Sequence, residues 1–506
     1  MIFIGGRSLK KHSIFFHIIL IILIISFNCK AVEGKNVEVA YIENFYVEII
    51  TSIQENKNSI NFKDKNLEKG IREKLNKPEG NLTKDDVKSL EELSLNNKNI
   101  SSLEGIQYLT NLRKLELMFN NINDLSSLKD LKNLENLDLG YNKITDISWL
   151  SNLTTLKNLN LQSNKISNIS PLSSLINLEV LNLYNNRVKN LKPLSGLTNL
   201  KDLNLYINKI QEIESLKYLK NLTNLSLGMN KVNSINSLTN LKKLKILELS
   251  ENKVTDIKPL SNLTELMEVY LYGNNINDII PLKELKNIVF LDLSENEISD
   301  ISSLGKLSNL KILLLARNNI KNLKGVDTTK NLEILGLSDN QISSLDELSS
   351  LKELSSLYLS NNNIINVTPL SHLTNIKKLD ISNNGISDIG KLRELPNLYL
   401  TNIDFSGNPL PKHVFTDKLN EEFILMTLNP YIQSAITEYY GEGRLYNNKG
   451  IIYIVKSEGK YKVKIRVETF VGAHNPPYGI ETMIISYDYT GAKVEDFKHE
   501  DVKAII

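Results

Sequence analysis

Cysteine is almost missing from this chain: Cys29 is the single one among 506 residues. A lone thiol excludes an internal disulfide and any metal or redox site that needs two cysteines. Histidine is also scarce, and only His372, His413, His474 and His499 lie beyond the first 31 residues. They show no metal-ligand spacing, and neither G-x-S-x-G nor a phosphate loop accompanies them, so no catalytic centre, metal or cofactor is expected. His474 in HNPPYG with Tyr478, joined by His499-Glu500, is the one grouping to weigh for a hydrolase. A turn histidine beside two prolines reads more simply as structural.

An excess of one charge is lacking too. Of the 60 basic residues, Arg7, Lys10, Lys11 and Lys30 fall in residues 1–31, which hold no acid; 56 then face 58 acidic residues. Such balance gives no reason to expect nucleic acid as a partner. Long apolar runs are absent beyond Ser13–Phe27, a stretch of 15 residues, short against the ~20 that span a bilayer. With basic residues before it and small ones after, residues 1–31 read as a secretory signal peptide. Cleavage is expected after Ala31, with Cys29 three places back, or else after Ala40 in VEVA. Retention as an N-terminal anchor is the other outcome for this segment. Lipid on Cys29 is disfavoured by Ser26, Phe27 and Asn28, which are unlike a lipoprotein context. An exported chain that needs no disulfide is typical of bacterial secretion.

What the chain has in abundance is one phrase. LEVLNLYNNRVKNLKPLSGLTN, residues 178–199, recurs with a period of 22. Its asparagine, Asn186, aligns with Asn120, Asn142, Asn164, Asn208, Asn230, Asn252, Asn274, Asn296, Asn318, Asn340, Asn362 and Asn384 without insertion. A fixed period in this range means stacked units that bury their apolar faces on one another. Leu181-Asn182-Leu183 alternates with period two and predicts a short strand. Val188, Leu191, Leu194 and Leu197 recur every third position, which suits a 3₁₀ or extended return. The fold class expected is an α/β solenoid with one parallel strand per unit, about 15 units over residues 90–410. At ~4.8 Å per strand the sheet would run roughly 70 Å. The asparagine suits the turn because its carboxamide can both donate to and accept from backbone groups in its own and the next coil. Lys98 stands there in the first unit, and Asn408 arrives 24 residues after Asn384 as the array ends.

Residues 32–60 form a polar lead-in and 61–89 a helical cap. In the cap, Leu67, Ile71 and Leu75 share one helical face, Pro78 and Gly80 end that helix, and Thr83 with Asp86 forms a capping box. After Leu410 the composition shifts. EEFILMTLNPYIQSAITEYYG predicts two helices broken at Asn429-Pro430, and IIYIVKS, KYKVKIRVETF and ETMIISYDY alternate like strands. Residues 411–506 are therefore expected to form a small α+β domain.

The 22-residue phrase, its Pro-Leu step (Pro171-Leu172, Pro193-Leu194, Pro259-Leu260, Pro281-Leu282, Pro369-Leu370) and the helical cap resemble the internalin-type leucine-rich-repeat proteins of Gram-positive bacteria. The resemblance covers roughly residues 60–410. It implies a secreted or surface-displayed horseshoe that binds a partner, often a host protein, on a concave sheet. Neither an LPxTG sorting signal nor the usual immunoglobulin-like domain follows, which weakens any expectation of wall attachment or invasion. VETFVGAHNPPYGIET resembles a short domain of unknown function from exported proteins of spore-forming bacteria.

Outward strand positions would form that concave face. They hold Met118, Phe119, Tyr141, Tyr184, Tyr206, Ile207, Met229, Tyr270, Tyr272, Phe290, Leu314 and Tyr358, which the fold itself does not require. Exposed aromatics on a rigid surface are what binding hot spots are made of, although tyrosine also simply suits strands. Acids on the face are Glu92, Glu116, Asp138, Asp202, Glu248, Glu251, Glu268, Asp292, Glu295, Asp339, Asp380 and Asp404, against Lys114, Arg317 and Lys378. Such a surface would steer a basic partner. Just after the asparagines, Lys143, Lys165, Arg187, Lys209, Lys231 and Lys253 make a basic stripe, either a solvated rim or a contact for an anionic cell-wall polymer. Asp146, Glu212 and Asp256 are placed to neutralise part of it. The function expected is non-catalytic protein binding through the concave face. The alternative is an envelope scaffold whose C-terminal domain does the specific work.

Overall fold

The computed structural model describes residues 58–395, 397–398, 403–410, 418–440, 445–457, 460–470, 478–488 and 491–502. The signal segment, most of the lead-in, His413 and His474 lie outside the described residues. No helix among the described residues is long and apolar enough to cross a membrane. The chain divides into two compact units, Met1–Leu134 and Glu135–Ile506.

The first unit begins with helix α1 (Lys65–Leu75). Asp64 caps it by accepting from the N–H groups of Asn66 and Leu67, and Asn76 ends it in the left-handed region at φ 52°. Leu67 and Ile71 are fully buried, and Gly70 is glycine because a Cβ there would lie 2.2 Å from Leu95. Helix α2 (Lys84–Val87) carries the expected capping box between Thr83 and Asp86. The second carboxylate oxygen of Asp64 accepts from the N–H of Ser101 at 2.7 Å, tying the cap to the first repeat.

Among the described residues fifteen short strands follow in chain order, from β1 (Glu92–Ser94) and β2 (Lys114–Glu116) through β3 (Asn136–Asp138) to β15 (Ile403–Asp404). In the first unit β1 pairs with β2, and in the second each strand from β3 onward pairs with the next. All these pairings are parallel, one per 22-residue unit. The leucine-rich-repeat solenoid expected from the period is the fold observed. Each strand from β1 to β14 holds only three residues, with the middle one buried, and β15 holds two. Each return contains a short 3₁₀ turn, such as Lys192–Leu194, where Pro193 sits in the first turn. In the repeat quoted above, Leu178, Leu181, Leu183, Val188, Leu191, Leu194 and Leu197 are all buried. At about 1.5–3 kcal/mol per buried aliphatic side chain, this column is what stabilises each coil.

The C-terminal part holds helix α3 (Lys418–Tyr440) and an antiparallel sheet in the order β16 (Leu445–Ser457), β17 (Lys460–Phe470), β18 (Tyr478–Asp488), β19 (Gly491–Val502). Two expectations need correction. The break at Asn429-Pro430 does not occur: one helix runs through, with Pro430 inside it. An interior proline costs about 3 kcal/mol. Ile424, Leu425, Leu428, Ile432 and Ile436, all buried against Val463, Ile465, Val467, Met483 and Ile485, outweigh that cost while the helix stays continuous. The fourth strand, β19, is absent from the sequence reading, because GAKVEDFKHEDV is charged throughout and a register shift opposite Ile484/Ile485 breaks its alternation.

Candidate functional site

Four residues determine how each coil turns. After the strand the ladder continues, with the N–H of Leu183 donating to Asn204 at 2.8 Å and that of Asn185 to Tyr206 at 2.8 Å. Then the residue before each ladder asparagine adopts a left-handed backbone. Phe119, Tyr141, Ser163, Asn185, Ile207, Met229, Glu251, Glu295, Arg317, Asp339, Asn361 and Asn383 all have φ between 51° and 58°. This corrects the reading of Phe119, Tyr141, Ile207, Met229, Glu251, Glu295, Arg317 and Asp339 as outward strand residues: they sit on the turn at the strand's end. Asn186 next donates to Leu161 at 2.9 Å, Leu183 at 3.2 Å and Tyr184 at 3.3 Å, and accepts from the N–H of Ile166 at 3.0 Å. The partners are in its own coil and the preceding one, not the following one. Asn120, Asn142, Asn164, Asn186, Asn252, Asn274, Asn296, Asn318, Asn340, Asn362 and Asn384 are buried, while Asn208, Asn230 and Asn408 are half-buried. At Lys98 the backbone N–H still donates to Asn120, and the ammonium pairs with Glu73 of α1 at 3.3 Å.

On the solvent-facing side of the sheet the aromatics form pairs. Tyr184 and Tyr206 stack with ring centroids 5.9 Å apart and planes 20° from parallel. Tyr206 leans over the next coil, where a Cβ on Gly228 would come within 2.3 Å of its ring. Tyr270 of β9 (Glu268–Tyr270) and Phe290 of β10 (Phe290–Asp292) lie 4.6 Å apart. Tyr272 and Tyr358 are half-buried, whereas Phe119 and Tyr141 are exposed.

Beside these rings strand register sets a row: Glu248 of β8 (Ile246–Glu248), then Tyr270 itself, then Asp292 on the strand of Phe290. Burial pushes the Glu248 carboxyl up, and the Asp292 charge adds to this, although the N–H of Ser250 donates to it at 2.6 Å. Asp292 is raised for the same reasons, burial first and then Glu295, against a bond from the N–H of Ser294. The Tyr270 hydroxyl, half-buried, donating to Glu268 at 3.0 Å and facing Glu248 and Asp292, is pushed up to about 12. The three bases on this face are already engaged. Lys114 pairs with Glu116 at 2.7 Å, Arg317 pairs with Glu295 and lies 3.8 Å from Asp339, and Lys378 sits 5.3 Å over the Tyr358 ring.

The basic stripe is exposed along its whole length. The carboxylates of Asp146 and Asp256 accept from the backbone N–H groups of Ser148 and Lys258 at the start of the 3₁₀ turns, a second role beside the charge expected of them. The structure also holds a second asparagine ladder, outside the expectations above. The Asn199 side chain donates to the carbonyl of Ile176 at 3.0 Å, Asn221 to Thr198 at 2.9 Å and Asn287 to Thr264 at 2.9 Å, each reaching back 23 residues. Its signal is an asparagine recurring two places after a buried leucine, in LTNL at Asn199, LKNL at Asn221 and LKNI at Asn287.

Whether His499-Glu500 joins His474 falls outside the described residues, whereas His499 itself is placed in the C-terminal sheet. Its Nδ1 lies 3.1 Å from Glu481 Oε1, and the Tyr440 hydroxyl donates to the same oxygen at 2.5 Å, with Glu481 fully buried. The side chain of Tyr478 is not described. Among the described residues no group of three or more histidine, cysteine, aspartate or glutamate side chains is placed to hold a metal ion.

The period, the one-strand coils and the asparagine ladder define a leucine-rich-repeat protein. Residues 132–174, 176–218 and 330–373 match the family model described as leucine-rich repeats (2 copies), and residues 420–501 match a protein of unknown function (DUF3888). An internalin, InlF, of Listeria monocytogenes is 36% identical over 62% of this chain and 94% of its own, with a TM-score of 0.61. A leucine-rich-repeat protein of Leptospira interrogans is 28% identical over 68% of this chain and 96% of its own, with a TM-score of 0.58. The functional domain of InlJ from L. monocytogenes, which includes a cysteine ladder, shares the fold at 21% identity and a TM-score of 0.59 over 87% of this chain and 97% of its own. Comparison with the curated proteins finds no match. The chain belongs to the internalin family.

Proposed function

We propose that this is an exported, non-catalytic binding protein that recognises a protein partner through the solvent-facing side of its repeat sheet. One observation carries the reading: the ring pairs Tyr184/Tyr206 and Tyr270/Phe290 stand beside the half-buried carboxylates Glu248 and Asp292, with Tyr270 between the two in register. None of these side chains belongs to the leucine column that stabilises the coils. Aromatic anchors beside carboxylates that have no cation partner among the described residues suit a partner surface with a basic side chain at its centre. Export, to the medium or the surface of a Gram-positive cell, is supported by the signal pattern of residues 1–31. The partner then belongs to the cell exterior, a host surface protein being the leading class and an anionic wall polymer on the lysine stripe a secondary contact.

The test uses the secreted full-length protein as bait against host and bacterial surface extracts, beside a Tyr184→Ala/Tyr206→Ala/Tyr272→Ala variant. A protein captured by the wild type and lost by the variant, at an unchanged melting temperature, is the expected result. Equal capture by both removes the tyrosines from the reading.

A further inference from the structure

The C-terminal sheet ends at β19, which pairs with β18 on one side and has no strand on its other side among the described residues. An edge of this kind leaves a row of backbone N–H and C=O groups without sheet partners. Beside it lies a groove of about 760 Å³, within the ~300–1,000 Å³ range of ligand clefts.

The lining of the groove has a definite pattern. Helix α3 contributes Tyr431, Ser434, Glu438 and their neighbours at helical spacing, hence one face. Strand β19 contributes every residue from Ala492 to Phe497. Ala492, Val494 and Phe497 pack towards the helix side across the register shift opposite Ile484/Ile485, and because β19 is the outermost strand among the described residues the groove beside them follows its edge. The space offered is that of one more strand, with its backbone on β19 and its side chains on α3.

Charge narrows the occupant further. Glu438 and Asp496 line the groove with one base, Lys493, while Glu495 is taken by Lys462 at 2.7 Å. The apolar part is formed by Ala435, Tyr439, Val494 and Phe497. It is held in shape from behind: the Tyr439 ring lies 5.0 Å from Phe497, and Tyr440 anchors the helix end to Glu481 and His499.

We propose that the C-terminal domain binds an extended segment of a partner protein, which adds to β19 as a fifth strand, sets apolar side chains against α3 and presents a basic side chain to Glu438 and Asp496. Strand addition of this kind takes affinity from main-chain bonds and selectivity from the side-chain pocket. The proposal does not depend on the repeat sheet as a binding face.

The experiment follows fluorescence anisotropy of a labelled heptapeptide of alternating valine and lysine with the full-length protein. The control is the same peptide N-methylated at alternate amides, which cannot pair along an edge. Saturable binding that the methylated peptide loses is expected. Ser434→Trp, at an exposed position that fills the groove, should weaken it about tenfold, as blocking an anchor pocket does. Glu438→Lys, also exposed, should weaken it and reduce its salt dependence, and serves where the tryptophan disturbs folding. The Tyr184→Ala/Tyr206→Ala/Tyr272→Ala variant should bind the peptide as the wild type does. Equal binding of the methylated peptide, or insensitivity to both Ser434→Trp and Glu438→Lys, overturns the proposal. Loss of binding in the tyrosine variant alone would place the peptide on the repeat sheet and also overturn it. A dimer that Ser434→Trp dissolves would make a second copy the occupant and overturn it likewise.

Discussion

Each ladder asparagine performs two jobs that no other single side chain combines at that size. Asn252 donates to three carbonyls, of Leu227, Leu249 and Ser250, and accepts from the N–H of Val232. Asn252→Ala leaves these buried groups unpaired and should cost about 1–3 kcal/mol. Asn252→Asp should cost more at neutral pH, because a carboxylate can only accept and would face three carbonyl oxygens. Urea unfolding of the two variants checks the order, and an aspartate milder than alanine would contradict it. The residue one place earlier reads from the sequence as free for function, yet its backbone is left-handed in nearly every repeat. Ile207, β-branched, holds φ 54° there. A left-handed backbone costs an L residue about 1–2 kcal/mol, and glycine returns roughly half of that in chain entropy. Ile207→Gly should therefore raise stability by about 1 kcal/mol or less; a lower melting temperature would show that the isoleucine side chain contributes more than its backbone strain. No apolar period encodes a backbone angle, which is why this position is illegible while the leucines are not.

Among the elements, strands and returns are legible because their periods, two and three, are local in sequence. The partners of α3 and the β19 edge are not, because they depend on contacts between distant segments. On the repeat sheet the same distinction separates Tyr206, readable as outward by phase, from Gly228, whose role is visible only once the ring lies across it. Gly228→Ala should displace that ring and weaken partner binding severalfold while leaving stability nearly unchanged, as measured by affinity beside thermal melting. The carboxylates of this row add a pH dependence. Burial raises Glu248 and Asp292 above their ordinary values, so between the unfolded and folded pKa the native state holds more protons and stability falls as pH rises. Above both values the cost is complete. Glu248→Gln should accordingly raise the melting temperature at pH 7 and change it little at pH 4. An equal shift at both pH values would assign the effect to packing and not to charge.

At the scale of the whole molecule, an array whose units touch only their neighbours gains stability unit by unit. The period is the most legible feature of all, since the ladder runs from Asn120 to Asn384 without a slip. That regularity has a direct consequence. Removing residues 341–362 joins Asn340 to Asn363 and Ile364, in the same phase as Gln341 and Ile342. Every leucine, turn and asparagine then finds an equivalent neighbour, Asn340 still following Asp339 in its turn and Asn384 meeting the coil before the cut. The shortened protein should unfold cooperatively, with a denaturant slope reduced in proportion to the surface lost. Removing only residues 341–351 places the return of one coil where a strand is needed, turning buried leucines toward water. It should lose cooperative unfolding while keeping nearly the same composition. Were both deletions equally tolerated, register between coils would not be what stabilises the array, and the asparagine ladder would be incidental to it.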